Sequence, residues 1–144
     1  MAESLDARDF VRISIQYLLT IHDLKSNSQN AGQNCIGIER LIVHSSQHDE
    51  LLEELRARVE MLRLGSVLYS ADGYISPVDC GSMISSTRFS DLRELITEAV
   101  HEGASLVYGG EQFKHAYLNN GSYFTPTVIG DIVPSMSIAR TECE

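Results

Sequence analysis

The sequence predicts an α/β fold built on a parallel sheet with flanking helices. From residue 38 onward, β-rich runs alternate with two stretches whose apolar residues recur at helical spacing. Glycines stand where those helices should stop. The resulting order of strand, helix, loop, helix, strand is that of parallel-sheet construction.

The elements follow in chain order. Phe10, Ile13, Tyr17, Leu18 and Leu19 can be laid along a helix, and a helix is the reading taken here. Ile13-x-Ile15 and the polar run Asp23–Asn30 dilute that pattern. Ile38-Glu39-Arg40-Leu41-Ile42-Val43 reads as a strand ending at Ser45-Ser46, which suit a helix N-cap. Asp49 and Glu50 then suit the first turn of a helix. Leu51, Leu52, Leu55, Val59 and Leu62 form its apolar stripe, and Gly65 closes it. Glu53, Glu54, Arg56, Arg58 and Glu60 read as its solvated face. Gly65, Asp72-Gly73, Pro77 and Gly81 mark a long loop over 65–85. A second helix is predicted from about Ser86, with Phe89, Leu92, Leu95, Ile96, Ala99 and Val100 forming its apolar stripe and Gly103 at C′. Ser105–Tyr108 reads as a strand, Gly109-Gly110 as its turn, and Tyr123–Ile129 as a strand that Pro126 confines to an edge or a bulge.

Composition narrows the function classes. A chain of 144 residues, 43% hydrophobic and 22% charged, is ordinary globular composition for one domain. Eleven basic against twenty acidic residues give a formal charge of −9, which argues against a sequence-independent grip on nucleic acid. No apolar run is long enough to span a bilayer, and Met1–Asp6 lacks the basic and apolar regions of a signal peptide. Cys35, Cys80 and Cys143 form no Cys-x-x-Cys pair, so free thiols in a reducing, intracellular and cytoplasmic setting are expected. His22, His44, His48, His101 and His115 make no ligand cluster, and no metal site is assigned.

The informative segment is Gln29-Asn30-Ala31-Gly32-Gln33-Asn34-Cys35-Ile36-Gly37-Ile38-Glu39-Arg40. It resembles the active-site cysteine motif of the NAD(P)-dependent aldehyde dehydrogenase superfamily, in which Gly-Gln/Glu-x-Cys precedes a small residue and a strand. Further segments follow in the family's order. They are Asp79-x-Gly81-x-x-Ile84-Ser85, Glu102-Gly103-Ala104, Gly109-Gly110, Gly121-x-Tyr123-Phe124-x-Pro126-Thr127-Val128, and Met136-x-Ile138-Ala139-Arg140-x-Glu142. The resemblance covers about residue 29 to 142. Its wording is most similar to the fungal branch named for meiotic sister-chromatid recombination.

This resemblance implies a partial catalytic domain of the aldehyde dehydrogenase fold over 29–144, preceded by a poorly matching segment, 1–28, read above as helical. It implies an aldehyde substrate, NAD or NADP as cofactor, and homo-oligomeric full-length relatives. Cys35 would be the nucleophile, because a thiolate adds well to an aldehyde carbonyl and the adduct can expel hydride to leave a thioester. Its own backbone N–H would be one donor to the developing oxyanion. Glu142 would accept hydrogen bonds from a ribose of the cofactor. Cys80 and Cys143 read as small buried hydrophobes.

The departures from the family pattern are as specific as the matches. The dinucleotide-binding half, the asparagine that supplies a second oxyanion donor, and the Glu-Leu-Gly-Gly base segment have no counterpart. Glu3 stands at about the base's distance, but Ser4-Leu5-Asp6 is not that motif. Glu144 falls where the family has the Phe of Phe-Gly-Pro, and Ser28 stands where an apolar residue precedes the nucleophile by seven positions. The expectation is a segment of a longer enzyme that turns over little by itself. The rival expectation is a non-catalytic remnant that packs against family subunits.

Overall fold

A computed structural model describes residues 10–16, 29–33, 39–66, 77–114 and 121–143. Four strands make the main sheet: β1 (Phe10–Gln16), β2 (Arg40–His44), β3 (Ser105–Tyr108) and β6 (Thr127–Ile132), in the order β2-β1-β6-β3. A two-stranded unit pairs β4 (Gln112–Phe113) with β5 (Tyr123–Phe124). The helices are α1 (Ser45–Glu60) and α2 (Phe89–His101).

The parallel sheet predicted above is corrected by the pairing. Every pair of named strands is antiparallel: β1 with β2, β1 with β6, and β3 with β6. β1 accounts for the first two pairs: because β2 and β6 both run opposite to β1, they point the same way as each other. β3, which follows α2, meets β6 directly and runs opposite to it. The position between β2 and β6 is taken by the segment read as a helix. Over 10–16 the β-branched Val11, Ile13 and Ile15 alternate with Arg12, Ser14 and Gln16, and that period of two prevails over the sparse helical stripe.

α1 begins one residue before its predicted cap region ends. Its N-cap is His44, whose Nδ1 accepts from the Ser46 backbone N–H at 3.2 Å. Its C-cap is Met61 rather than Gly65, so the last apolar residue of the predicted stripe, Leu62, lies beyond the helix and bonds back to Val59 at 3.1 Å. The charged face is solvated as read, with i,i+4 pairs Glu54–Arg58 and Arg56–Glu60. α2 starts at Phe89, three residues after the predicted start, since Ser86–Arg88 form a turn. Its end is as predicted. Gly103 adopts φ +105°, its N–H donates to Val100 O at 3.1 Å, and the Ala104 N–H donates to Ala99 O at 2.9 Å. That is the paired-bond motif in which only glycine is comfortable at C′.

Two apolar clusters hold the helices against the sheet. Leu55 and Val59 of α1 pack with Val128 of β6, joined by half-buried Leu41, Val43, Leu51, Leu52 and Val107. Phe89, Leu92, Ile96 and Ala99 of α2 pack with Ile129 and Ile132 of β6 and with Met136, Ile138 and Ala139 beyond it. Neighbours in one strand point to opposite faces, so Val128 and Ile129 serve different clusters. The predicted strand 123–129 is broken at Thr125-Pro126, as proline's missing donor requires. Gly109 lies against that break: a Cβ there would sit 2.1 Å from the Pro126 carbonyl oxygen.

Candidate active site

Residues 34–38, and with them Cys35, lie outside the described residues, so the site is built from the two flanks of that segment. On the N-terminal side, a 3-10 turn over Gln29–Gly32 places Ala31 within the α2 cluster, 5% exposed. Ala31 and Gly32 both have positive φ, 55° and 77°, which reverses the chain sharply just before Gln33. A non-glycine residue in that region costs about 1–2 kcal/mol, so burial of Ala31 must offset strain. Gln33 Oε1 then accepts from the Ile84 backbone N–H at 2.9 Å. Two motifs that sequence order separates by fifty residues are thereby tied together.

On the C-terminal side, the chain re-emerges at Glu39 and enters β2 at Arg40. Arg40 donates through Nη2 to the Thr141 carbonyl at 2.6 Å, and its Nη1 lies 3.3 Å from Glu39 Oε2. Glu39 Oε1 accepts from the Cys143 backbone N–H at 3.4 Å. Arg88, at the start of α2, donates to the Glu142 carbonyl at 3.4 Å. Residues 141–143 follow the buried turn Ser137–Ala139, whose Ile138 and Ala139 join the α2 cluster.

The Glu142 side chain is exposed, and among the described residues no partner bonds its carboxylate. A free carboxylate can receive both hydroxyls of a ribose, so the residues present fit that one part of a dinucleotide. The structure brings the Glu39-Arg40 flank of the Cys35 segment against the backbone of the Glu142 segment. Sequence reasoning assigned no role to Gln33, Glu39, Arg40 or Arg88. Arg40 was visible as the last residue of the cysteine motif, but a contact between positions 40 and 141 leaves no local signal.

The other two cysteines differ from a nucleophile in their surroundings. Cys80 is 4% exposed, and burial, reinforced by neighbouring Asp79, pushes its thiol up to about 11. Cys143 is buried too; burial first, then Glu39, raises its pKa against the lowering pull of Arg40 and Arg88. Both hold their protons at neutral pH. His48, in the first turn of α1, is buried, with Nδ1 2.9 Å from Asp49 Oδ1 and Nε2 3.5 Å from Asp131 Oδ1. Among the described residues no group of three or more His, Cys, Asp or Glu could hold a metal ion, and no helix is long and apolar enough to cross a membrane.

Comparison with known proteins bears on the same residues. The aldehyde dehydrogenase family profile matches residues 22–143. A protein of Schizosaccharomyces pombe, named only as aldehyde dehydrogenase-like, is 44% identical over 80% of this chain and 21% of its own length. A similarly named protein of Saccharomyces cerevisiae is 42% identical over 83% of this chain and 18% of its own. This chain thus spans about a fifth of the length of these curated relatives. Among solved structures, betaine aldehyde dehydrogenase of Staphylococcus aureus, bound to NAD+ and with a BME-modified cysteine, is 30% identical with a TM-score of 0.56. It covers 67% of this chain, which covers 18% of it. A lactaldehyde dehydrogenase structure has a TM-score of 0.64 at 23% identity over 82% of this chain and 23% of its own, a likeness of fold.

Proposed function

Because the chain belongs to the aldehyde dehydrogenase family, we propose that it is the nucleophile-bearing part of a longer NAD(P)-dependent enzyme that oxidises an aldehyde to a carboxylic acid. One observation carries the reading. The Cys35 segment is fixed on both flanks, by Gln33 to Ile84 and by Glu39 and Arg40 to the backbone of residues 141–143. Held ends are what a reactive side chain needs, because orientation is fixed before the reaction begins.

The Cys35 thiolate adds to the carbonyl carbon, and the π pair moves onto oxygen, where the Cys35 backbone N–H donates to it. As the oxyanion collapses back to a carbonyl, the hydrogen on that carbon departs with its electron pair and a thioester remains. When bound, NAD+ or NADP+ would supply the acceptor for that hydride. Water then cleaves the thioester, releasing the acid and the free thiol. Glu142 would hold the cofactor's ribose hydroxyls on its exposed carboxylate. Both cofactors have precedent among similar proteins: the S. aureus structure holds NAD+, whereas an Escherichia coli relative at 30% identity is named for NADP(+).

The proposed catalytic unit occupies residues 29–144 and works in an intracellular, homo-oligomeric enzyme. Transcript sequencing tests this reading: an in-frame Glu-Leu-Gly-Gly segment upstream and Phe-Gly-Pro downstream support it, and a message that encodes neither overturns it. In the encoded protein, Cys35→Ser should lower aldehyde oxidation by more than about a thousandfold. Retention of most activity would remove Cys35 from its role.

A further inference from the structure

Glu39 and Arg40 are adjacent in sequence, yet together they hold the chain on both sides of a residue more than one hundred positions away. Arg40 bonds the C=O of Thr141, and Glu39 bonds the N–H of Cys143. The two side chains also bond each other at 3.3 Å, which closes a ring of polar contacts around position 142. Both links to residues 141–143 are side chains gripping backbone, so the ring fixes where Glu142 starts without using its carboxylate. That carboxylate is left exposed. Both gripping residues are half-buried, with side-chain exposures of 25% for Glu39 and 34% for Arg40, so water competes with these bonds less than at an open surface.

We propose that Arg40 is a positioning residue: with Glu39 it sets where the Glu142 carboxylate, and hence a cofactor ribose held by it, stands relative to the start of β2. This rests on the reading of Glu142 given above. The guanidinium suits the work because its planar fork serves a carbonyl and a carboxylate at once, which a lysine's single ammonium cannot do in fixed directions. Arg40 is the first residue of β2, so the rigid end of a strand holds the segment that carries Glu142. Arg88 adds a longer contact to the Glu142 carbonyl from α2.

The test has one arm on this chain and one on the encoded enzyme. In the 144-residue chain, Arg40→Met should speed alkylation of Cys143 by iodoacetamide about tenfold, the loss of roughly one charge-assisted hydrogen bond. Cys80 should stay protected, which shows that the fold persists. Direction separates release from simple electrostatics. Arg40 lowers the Cys143 pKa, so loss of its charge alone would raise the pKa and slow the reaction. Arg40→Lys should recover part of the protection. In the complete enzyme, Arg40→Met should raise the dinucleotide KM by about tenfold while lowering kcat by less than about threefold, as expected when binding geometry is disturbed and chemistry is not. Unchanged or slower alkylation of Cys143 would overturn the proposal. So would an unchanged KM in Arg40→Met beside a raised KM in Glu142→Gln. If Glu142→Gln itself leaves KM unchanged, the ribose reading is what fails, and the positioning role falls with it.

Discussion

At the scale of single residues, the three thiols should be distinguishable by acidity. Cys80 at about 11 leaves roughly one thiol in ten thousand ionised at pH 7, so it should resist alkylation in the native chain. Cys35, if its loop keeps backbone N–H groups near the sulfur, should titrate below the ~8.5 of a free cysteine and react faster than Cys80 at neutral pH. Peptide mass spectrometry across a pH series reads each curve separately; a Cys35 curve like that of a free thiol would mean no preformed nucleophile. The raised pKa of Cys80 also has a thermodynamic side. A thiol that holds its proton more tightly when folded stabilises the fold below its unfolded pKa, and that stabilisation is lost as pH climbs through the folded value. The loss should fall between about pH 9 and pH 11 and amount to about 2–3 kcal/mol. Cys80→Ala, followed by urea unfolding at several pH values, should show a flatter alkaline limb than the parent chain.

At the scale of elements, steep costs are expected where backbone and core leave no slack. Leu92 is 1% exposed in the α2 cluster, so Leu92→Ala should cost about 2–5 kcal/mol in chemical unfolding. Gly109→Ala meets both a φ of +80° and the Pro126 carbonyl at 2.1 Å, so either β6 shifts or the turn opens. It should destabilise by more than about 2 kcal/mol. Both helices were legible in the sequence because each owes its existence to a local stripe, and the end of α2 was legible because Gly103 alone suits its backbone. The strand direction was not. Antiparallel pairing arises from β1 meeting β2 and β6 and from β3 meeting β6, and nothing within any one segment reports which other segment will lie beside it. The helix read from Phe10 onward gives way to a strand over 10–16, its remaining residues lying outside those described, for a related reason: Val11, Ile13 and Ile15 favour a strand when partner strands exist on both sides. The candidate site divides in the same way. Cys35 and Glu142 stood out through local motifs, whereas the Gln33–Ile84 bond and the Arg40–Thr141 bond join places that the sequence keeps far apart.

At the scale of the whole molecule, the described sheet ends in two edges, β2 and β3, each bearing an exposed apolar side chain, Ile42 and Leu106. Ile84 is 81% exposed as well. Open edges with apolar neighbours recruit other chains, so size-exclusion chromatography at micromolar concentration should show association. Ile42→Lys should reduce it, and a sharp monomer peak from the parent chain would show that these edges are adequately protected. On the ribose reading proposed for Glu142, one exposed carboxylate among the described residues is too little to hold a dinucleotide, so calorimetric titration with NAD+ or NADP+ should show no saturable binding tighter than millimolar for the 144 residues alone. The placement of β1 between β2 and β6 also constrains how the molecule can be made. A ribosome delivers β1 and β2 early, and they can pair at once as neighbours. The other side of β1 must wait for β6, which emerges only after both helices have been synthesised. Throughout that interval the strand destined for the middle of the sheet is an edge, open to whatever nascent chain or chaperone is near. Ribosome-stalled chains ending before Thr127 should therefore bind a holdase chaperone, and chains long enough to expose all of β6 should release it.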